Sequence, residues 1–346
     1  MCGNRATIII TMERETAMDK QKDLLTVHGL KVQFETRRGT VTAVDDVSFS
    51  VAPGRALCIV GESGCGKSVT SLAILGLLGK NGHLAKGSIE FDGRELTRLS
   101  EGEMCGIRGN EIAMIFQDPM TALNPTQTIG RQLSEPLMLH QGLDKKAAWS
   151  AATDMLNRVG ISAPEKRMRE YPHQMSGGMR QRVMIAMALC CSPKLLIADE
   201  PTTALDVTIQ AQILRLIRKL QKESGAAVVL ITHDMGVVAE TANDVLVLYA
   251  GSAMEAGPVE RIFDHPLHPY TRGLLASIPQ LDRDQDMLNT IEGTVPPAYD
   301  MPTGCHFCPR CPNALPICEK KKPRPVPVQD GGMVACWLYE EASEHE

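Results

Sequence analysis

Residues 61–68, GESGCGKS, constrain the fold of this chain more than any other stretch because they fit the pattern G-x-x-x-x-G-K-[ST]. The apolar run at residues 57–60 leads into them and predicts a buried strand. Residues 69–78 carry leucines near helical spacing and predict a helix. Glycines at such a junction let backbone N–H groups surround phosphate oxygens at a helix N-terminus. This context favours a phosphate-binding loop over a glycine-rich turn that matches the pattern by chance.

Three later apolar runs predict buried strands, and polar side chains follow each of them. The runs are residues 112–116 before Gln117, residues 195–198 before Asp199 and Glu200, and residues 228–232 before His233. Ligands of open α/β sheets bind at the carboxyl ends of the strands. We therefore expect these side chains to lie near the phosphates.

The phosphate loop and the carboxylates together predict a magnesium nucleotide as ligand. Lys67 is expected to reach the β- and γ-phosphates, and the Ser68 hydroxyl and Asp199 are expected to bind Mg²⁺. Glu200 is placed to polarise the attacking water as a general base.

The roles of the remaining strand-end residues, Gln117 and His233, depend on which other polar residues follow neighbouring strands. The side-chain oxygen of Gln117 completes the magnesium shell or orients a water, although alone it would be an ordinary strand-end residue. His233 alone would more often be structural, but among several such groups it is interpreted as a γ-phosphate sensor.

Other segments complete the α/β organisation. Residues 24–34 and 41–51 alternate as strands and predict antiparallel structure ahead of the loop. Residues 128–164 predict an inserted helical lobe. Ser176, Gly177 and Gly178 precede another apolar helix and predict a second anion site at a helix start. Asp206 is expected to cap the helix that follows it.

Composition narrows the function classes. The chain has 346 residues, enough for a main domain and an appendage, and a net charge of −5 with 4% aromatic residues, which argues against nucleic-acid binding. No apolar stretch reaches about 18 residues, so a membrane role must come through a partner.

Residues 1–22 are expected to be a flexible tail. Eleven cysteines, with Cys58 in a predicted core strand and Cys65 in the loop, indicate a reducing compartment.

The motifs, in this order, resemble the nucleotide-binding subunit of an ABC transporter. Within that family residues 61–68 match Walker A, Gln117 the Q-loop, residues 176–179 the signature, residues 195–199 Walker B followed by Glu200, residues 204–206 the D-loop, and His233 the switch histidine. Residues 176–182, 201–210 and 268–271 look like the D-type ATPase of dipeptide and oligopeptide importers. Met179 departs from the glutamine commonest in ABC signatures but is usual in this subfamily.

The resemblance implies a site for ATP and Mg²⁺. The residues it implies at the nucleotide are Phe34, Gly61, Ser63, Gly64, Cys65, Gly66, Lys67, Ser68, Val69, Gln117, Ser176, Gly177, Gly178, Met179, Asp199 and Asp206. The residues it implies in catalysis are Glu200, His233, Gln117 and Lys67. The aromatic position of Phe34 is the least secure match, because Phe34 could equally pack a sheet.

The resemblance also implies an architecture and partners. It implies a RecA-like α/β core with an antiparallel β-subdomain at residues 23–262, a helical subdomain at about 120–190, and a small cysteine-rich region at residues 263–346. The implied partners are a second homologous ATPase, two transmembrane permease subunits and, through them, an extracytoplasmic peptide-binding protein. The implied place is the cytoplasmic face of the inner membrane.

Two kinds of alternative function remain. One is a soluble ABC ATPase acting on chromosomes or ribosomes, which the domain-sized helical insertion and the single ATPase cassette disfavour. The other is an importer ATPase whose cargo is a nickel chelate or glutathione. A purely redox protein would leave the ATPase motifs without a purpose.

The C-terminal cysteines predict a metal site. Five of them, Cys305, Cys308, Cys311, Cys318 and Cys336, lie within 32 residues, which in a reducing compartment favours a zinc site or an iron–sulfur cluster over unliganded thiols. The importer resemblance, through C-x-F-x-P-R-C and two later cysteines, implies a [4Fe–4S] cluster on Cys305, Cys311, Cys318 and Cys336. Cys308 is extra to that pattern and is an alternative ligand, and zinc is the alternative metal.

Overall fold

The computed structural model describes residues 22–203, 206–278 and 290–340. Its strands, in chain order, are β1 (Leu25–Thr36), β2 (Gly39–Val51), β3 (Ala56–Val60), β4 (Gly82–Phe91), β5 (Arg94–Glu95), β6 (Ile112–Ile115), β7 (Leu195–Asp199), β8 (Ala227–Ile231), β9 (Asp244–Tyr249), β10 (Ser252–Pro258), β11 (Val326–Pro327) and β12 (Met333–Val334). Its helices are α1 (Lys67–Ile74), α2 (Glu101–Ile107), α3 (Pro119–Ala122), α4 (Ile129–Gln141), α5 (Lys145–Arg158), α6 (Pro164–Arg167), α7 (Gly177–Leu189), α8 (Val207–Ser224), α9 (Met235–Thr241), α10 (Val259–Asp264), α11 (Pro269–Ala276) and α12 (Trp337–Glu340). The predicted tail, apart from Lys22, and the predicted D-loop residues Ala204 and Leu205 lie outside the described residues.

The described chain divides into two compact units. The phosphate-loop unit contains residues 22–52, 57–97, 232–278 and 290–340, and the helical unit contains residues 53–56, 98–203 and 206–231. Within these ranges no helix is long and apolar enough to cross a lipid bilayer.

An antiparallel sheet in the phosphate-loop unit has the strand order β2-β1-β4-β5. β1 and β2 pair around a turn at Gly39, with Phe34 opposite Val41. Buried residues largely alternate with half-buried ones along β1, as expected for strands with one face on a core. The antiparallel structure predicted ahead of the phosphate loop is confirmed.

Strand β3 delivers the chain to the phosphate loop. All five of its residues are buried, and it pairs parallel to β9 with Ile59 opposite Leu246. Within this unit the strand order is β11-β12-β10-β9-β3. A continuous apolar run is typical of a strand buried on both faces, so the strand predicted at residues 57–60 is confirmed.

Helix α1 is shorter than the leucine spacing predicts. It ends at Ile74, not Leu78, because Gly76 takes a left-handed φ of 61°. The N–H of Leu77 then donates to the carbonyl of Leu72 at 2.8 Å, which is the closing bond of a Schellman cap. The leucine spacing continues past the cap to Leu78, but the helical backbone ends at Ile74.

The helical unit combines a parallel sheet with the inserted helices. Its strands lie in the order β8-β7-β6, with Leu195 opposite both Ile112 and Ala227. Helices α4 and α5 occupy the predicted helical lobe, and Gly142 ends α4 with a φ of 65°. The strands predicted at residues 112–116, 195–198 and 228–232 are confirmed to within a residue or two at their ends.

Helix α7 begins at Gly177, so Gly177 and Gly178 lie within the helix that they were predicted to precede. Ser176 is its N-cap, with its hydroxyl oxygen accepting from the N–H of Met179 at 3.4 Å. The cap therefore starts the helix, whereas apolar spacing marks only the part that packs in the core.

The C-terminal residues belong to the phosphate-loop unit. β12 pairs antiparallel with β10, placing Val334 opposite Glu255, and the described residues after 262 cluster with this unit. A separate cysteine-rich domain is therefore not shown by the described structure. The physical reason is that β12 pairs with β10 and so extends the sheet of the core.

A buried polar network fixes the start of α11. The Glu255 carboxylate accepts from Arg261 at 2.8 Å and from the backbone N–H groups of Leu267 and His268 at 3.0 and 2.9 Å. Nδ1 of His268 accepts from the N–H of Tyr270 at 3.0 Å. Burial, with a smaller effect of Arg272, lowers the pKa of His268 to about 3. The imidazole is therefore neutral in the fold.

We predict that His268 makes stability depend on acid. The unfolded chain binds a proton as the pH falls through 6.5, whereas the fold resists it down to about pH 3, so stability falls by up to about 1.4 kcal/mol per pH unit across that window. His268→Asn keeps a cap acceptor but does not titrate. Urea unfolding at several pH values should show a shallower acid dependence in the variant, and equal slopes would contradict the prediction.

Candidate nucleotide-binding site

The phosphate loop depends on glycines at two close approaches. Gly61 has a φ of 150°, and a Cβ there would lie 2.1 Å from the carbonyl oxygen of Leu248. Gly66 has a φ of 97°, and its Cβ would lie 2.6 Å from the carbonyl oxygen of Ala43. Both contacts are with backbone, so neither can yield as a flexible side chain would.

Lys67 lies inside the loop. Its side chain is buried, and Nζ donates to the carbonyls of Gly61 at 2.8 Å and Glu62 at 3.1 Å. Nζ also lies 3.8 Å from Sγ of Cys65, whose thiol pKa is raised by burial against the opposing effect of Lys67. The loop therefore presents a buried cation and a neutral thiol.

The start of α1 suits an anion. Gly66 is its left-handed N-cap, no acidic residue lies in the first turn, and Ser68 is half-buried there. The hydroxyl of Thr70 donates to the carbonyl of Gly66 at 3.0 Å and fixes this turn. Unpaired N–H groups and the helix dipole make such a terminus a phosphate site.

In the helical unit, Glu200 and Gln117 are brought together. The amide Nε2 of Gln117 donates to Oε2 of Glu200 at 3.1 Å, and the hydroxyl of Thr203 donates to the same oxygen at 2.9 Å. Glu200 has a φ of 43°, and its N–H donates to the carbonyl of Ile231 at 3.0 Å. Left-handed backbone at a residue other than glycine is sparsely populated and concentrates at functional sites.

Thr203 is a site residue that sequence reasoning missed. A hydroxyl three residues after the predicted base is the signal that could have identified it. Asp199 ends β7 and is buried, opposite Ile231 of β8. A carboxylate oxygen is a ligand type that Mg²⁺ prefers, so the predicted role of Asp199 as a magnesium ligand is consistent with its donor chemistry.

The signature residues sit at the start of α7. Gly177 and Gly178 form its first turn after Ser176, and no acidic residue lies in that turn. Nε2 of Gln181 donates to the carbonyl of Pro201 at 2.5 Å, which ties α7 to the segment after Glu200. Asp206 accepts from the N–H of Ile209 at 3.0 Å, so its predicted role as the cap of α8 is confirmed.

The predicted site residues are shared between the two units. The loop residues, Phe34 and His233 belong to the phosphate-loop unit, while Gln117, Ser176, Asp199, Glu200 and Asp206 belong to the helical unit. Phe34 is half-buried in β1 and packs on Gly82 of β4, where a Cβ would lie 2.6 Å from its ring. His233 is exposed just before α9.

The thiols of four C-terminal cysteines lie near one another, namely Cys305, Cys311, Cys318 and Cys336. Burial raises the pKa of Cys305 to about 12, with further increases from Cys318, Cys336 and Cys311. The pKa of Cys336 is likewise raised by burial first and also by Cys311 and Cys318. Cys308 is less buried, and its pKa is raised by burial and then by Cys318, Glu319 and Cys311.

Among the described residues, no set of three or more His, Cys, Asp or Glu side chains is arranged to hold a metal ion. The donor type nevertheless fits a thiolate-bound metal, because Cys311 and Cys318 add to the effect of burial in raising the pKa of Cys305 and Cys336, and a shared cation would stabilise the thiolate forms. The fit is therefore one of donor type and number, and a closed ligand set is not shown.

Family models match two parts of the chain. One described as ABC transporter matches residues 44–203, and one described as oligopeptide/dipeptide transporter, C-terminal region, matches residues 254–318. The dipeptide transport ATP-binding protein DppD of Bacillus subtilis (strain 168) is 53% identical, over 93% of this chain and 96% of that protein. The oligopeptide transport ATP-binding protein OppD of Haemophilus influenzae is 52% identical, over 92% and 98%.

Solved structures give the same fold. An ATP-binding cassette in a dimeric, post-hydrolysis state bound to ADP and Pi has a TM-score of 0.61 and 27% identity, covering 68% of this chain and 98% of that chain. CbiO1 of Clostridium perfringens, part of the ABC transporter complex CbiONQ, has a TM-score of 0.59 and 27% identity, covering 70% and 92%. The predicted α/β phosphate-loop fold is confirmed.

Proposed function

Because the chain belongs to the ABC transporter ATP-binding proteins of dipeptide and oligopeptide import, we propose that it hydrolyses ATP to power peptide uptake through separate permease subunits. The observation that carries the ATPase assignment is the geometry at Glu200. Its carboxylate follows a buried strand, sits on strained backbone and accepts hydrogen bonds from Gln117 and Thr203.

The hydrolytic step assigns each residue a task. Lys67 and the N-terminus of α1 hold the phosphates, and Ser68, Asp199 and Gln117 would hold Mg²⁺, which would supply charge neutralisation. Glu200 accepts the proton as the water oxygen bonds to the γ-phosphorus and the bond to ADP breaks. His233 contacts the γ-phosphate.

Peptides are the proposed cargo. Relatives that cover over nine-tenths of this chain are named as dipeptide and oligopeptide transport ATP-binding proteins. These names support peptides over nickel chelates or glutathione, and transport over a role on chromosomes or ribosomes. The cargo pocket would lie in other subunits.

The proposed assembly sits on the cytoplasmic face of the inner membrane. It comprises two permease subunits, this chain and a second, similar ATPase, and it receives peptides from an extracytoplasmic binding protein. Two anion-binding helix starts, at Gly66 and at Ser176, support a head-to-tail pair in which each signature closes on the partner's ATP.

We also propose that Cys305, Cys311, Cys318 and Cys336 hold a [4Fe–4S] cluster with a structural role. The effects of Cys311 and Cys318 on the thiol pKa values of Cys305 and Cys336 support a shared cation. Nothing in the ATP motifs requires an electron, which favours structure over redox catalysis. Zinc is the alternative, with Cys308 as a further ligand candidate.

Glu200→Gln tests the ATPase assignment. The variant should bind ATP with unchanged affinity but lose at least about 100-fold in turnover in the reconstituted transporter, because the amide accepts no proton from water. Glu260→Gln, an exposed carboxylate on α10, is the control and should hydrolyse ATP at the native rate. Near-native turnover by Glu200→Gln would remove Glu200 as the base.

Ser176→Arg tests the head-to-tail pair. An arginine there should block hydrolysis at the partner's phosphate loop while this chain still binds nucleotide. Ser100→Arg is a matched control because Ser100 also N-caps a helix, α2, so both variants lose a cap worth about 1 kcal/mol. Equal hydrolysis by the two reconstituted variants would contradict the arrangement.

Cys318→Ser tests the cluster. Anaerobically purified protein should be brown with about four irons per chain, and the variant should lose colour, iron and thermal stability. Cys105→Ser, an exposed thiol on α2, should keep all three. A colourless protein with one zinc would make this a zinc site, and metal-free protein of native stability would reject both metals.

A further inference from the structure

The residues between the C-terminal cysteines contact the ATPase core. We define residues 305–311 as the cysteine segment. Nδ1 of His306 lies 2.8 Å from the carbonyl oxygen of Ala250, to which its N–H donates. Phe307 is buried, with its ring 5.2 Å from that of Tyr249 and 5.3 Å from that of Tyr270. The segment therefore packs His306 and Phe307 against the end of β9 and against Tyr270 of α11.

Arg310 makes the most direct of these contacts. Its Nη1 donates to both carboxylate oxygens of Glu62, at 3.0 and 2.9 Å, and to the Tyr249 hydroxyl at 3.3 Å. Nη2 and Nε donate to the carbonyls of Ile291 and Glu292 at 2.9 and 2.8 Å. Although burial opposes its charge, the hydrogen bonds to Glu62 and Tyr249 raise the pKa of Arg310. All three guanidinium nitrogens are thus engaged.

Glu62 is the second residue of the phosphate loop, and it is held at three points. Its side chain accepts from Arg310, its N–H donates to the Tyr270 hydroxyl at 2.9 Å, and its carbonyl accepts from Nζ of Lys67 at 3.1 Å. A shift of Glu62 therefore moves one of the two carbonyls that hold Nζ of Lys67. Arg310 reaches the phosphate-binding lysine through this one residue.

The position of Arg310 is set by the folding of the cysteine segment. Backbone hydrogen bonds close successive turns, from Arg310 to Phe307 at 3.0 Å and from Cys311 to Cys308 at 3.2 Å. The N–H of Cys305 donates to the carbonyl of Cys318 at 2.7 Å, which joins the segment to the next cysteine. Loss of this fold would release Arg310 from Glu62.

We infer that Arg310 is a positioning residue for the phosphate loop, and that it makes nucleotide binding depend on the folding of the cysteine segment. The inference rests on the proposed nucleotide-binding function and assigns the segment a role in it. Arg310 acts through Glu62 on Lys67, and its planar guanidinium suits the task because its five N–H donors serve the carboxylate and both carbonyls together.

Nucleotide affinity of the purified full chain tests Arg310, with a fluorescent ATP analogue and Mg²⁺ as the probe. Arg310→Ala should raise the Kd at least about fivefold, the lower end of usual coupling between sites, and Arg310→Lys should fall between it and the native chain. In the transporter the change should appear in KM more than in kcat. Lys322→Ala is the control, because Lys322 binds Asp45 of β2 and not the loop, and it should change the Kd less than about twofold.

A double-mutant cycle separates positioning from general damage. In a Glu62→Ala background, Arg310→Ala should add less than about twofold to the Kd, because the route to Lys67 is already broken. Full additivity would overturn the inference. Arg310→Lys keeps the test decisive if Arg310→Ala fails to fold, since a native Kd in that folded variant would also overturn it.

Cys318→Ser tests the dependence on the segment. It should raise the Kd in the native background and speed hydrogen exchange at the amides of residues 61–66, yet add little to Arg310→Ala. An equal loss in both backgrounds would show another route and overturn the coupling. If the native chain itself binds no nucleotide, the proposed function fails instead, so the two failures are distinguishable.

Discussion

The conformation of the phosphate loop depends on the close approach of the Gly61 backbone to β9. A Cβ at Gly61 would overlap the carbonyl oxygen of Leu248, because β3 and β9 run side by side up to this point. At the other end of the loop, Gly66 approaches the carbonyl of Ala43 in β2. Backbone of β9 and of β2 therefore confines the loop on two sides. The carbonyls of Gly61 and Glu62 accept from Lys67 within this confined loop.

One of the strained backbone positions lies where chemistry is expected, at Glu200. Glu200 keeps a left-handed backbone because the carbonyl of Ile231, Gln117 and Thr203 together hold it. Such a conformation costs of order 1–3 kcal/mol and persists only when its surroundings over-determine it. In the proposed reaction, a carboxylate held in place in this way would lower the reorganisation needed during hydrolysis.

The sequence predicted what local rules control. Buried strands were found because apolar runs end at polar or glycine residues, and Asp206 was found as a cap because capping spans only three residues. The end of α1 was misplaced because Gly76, not apolar spacing, decides it. The pair of Arg310 and Glu62 could not be predicted, since residues far apart in sequence share no periodicity. The sequence shows that the C-terminal cysteines are clustered along the chain. Which of their thiols lie close together in space depends on the fold and could not be predicted.

An aromatic layer beside the phosphate loop sets the surroundings of the Arg310–Glu62 pair. Tyr249, Tyr270 and Phe307 are buried, and burial raises the pKa values of both tyrosines, so the layer is uncharged. Arg310 lies against this layer with its side chain 5% exposed, and low polarity there strengthens an ion pair and makes an unpaired charge costly. Removing Arg310 alone would leave Glu62, whose side chain is 27% exposed, without this partner at the loop, whereas removing both would not. Such a pair contributes little net stability, and its value lies in fixing where the loop begins.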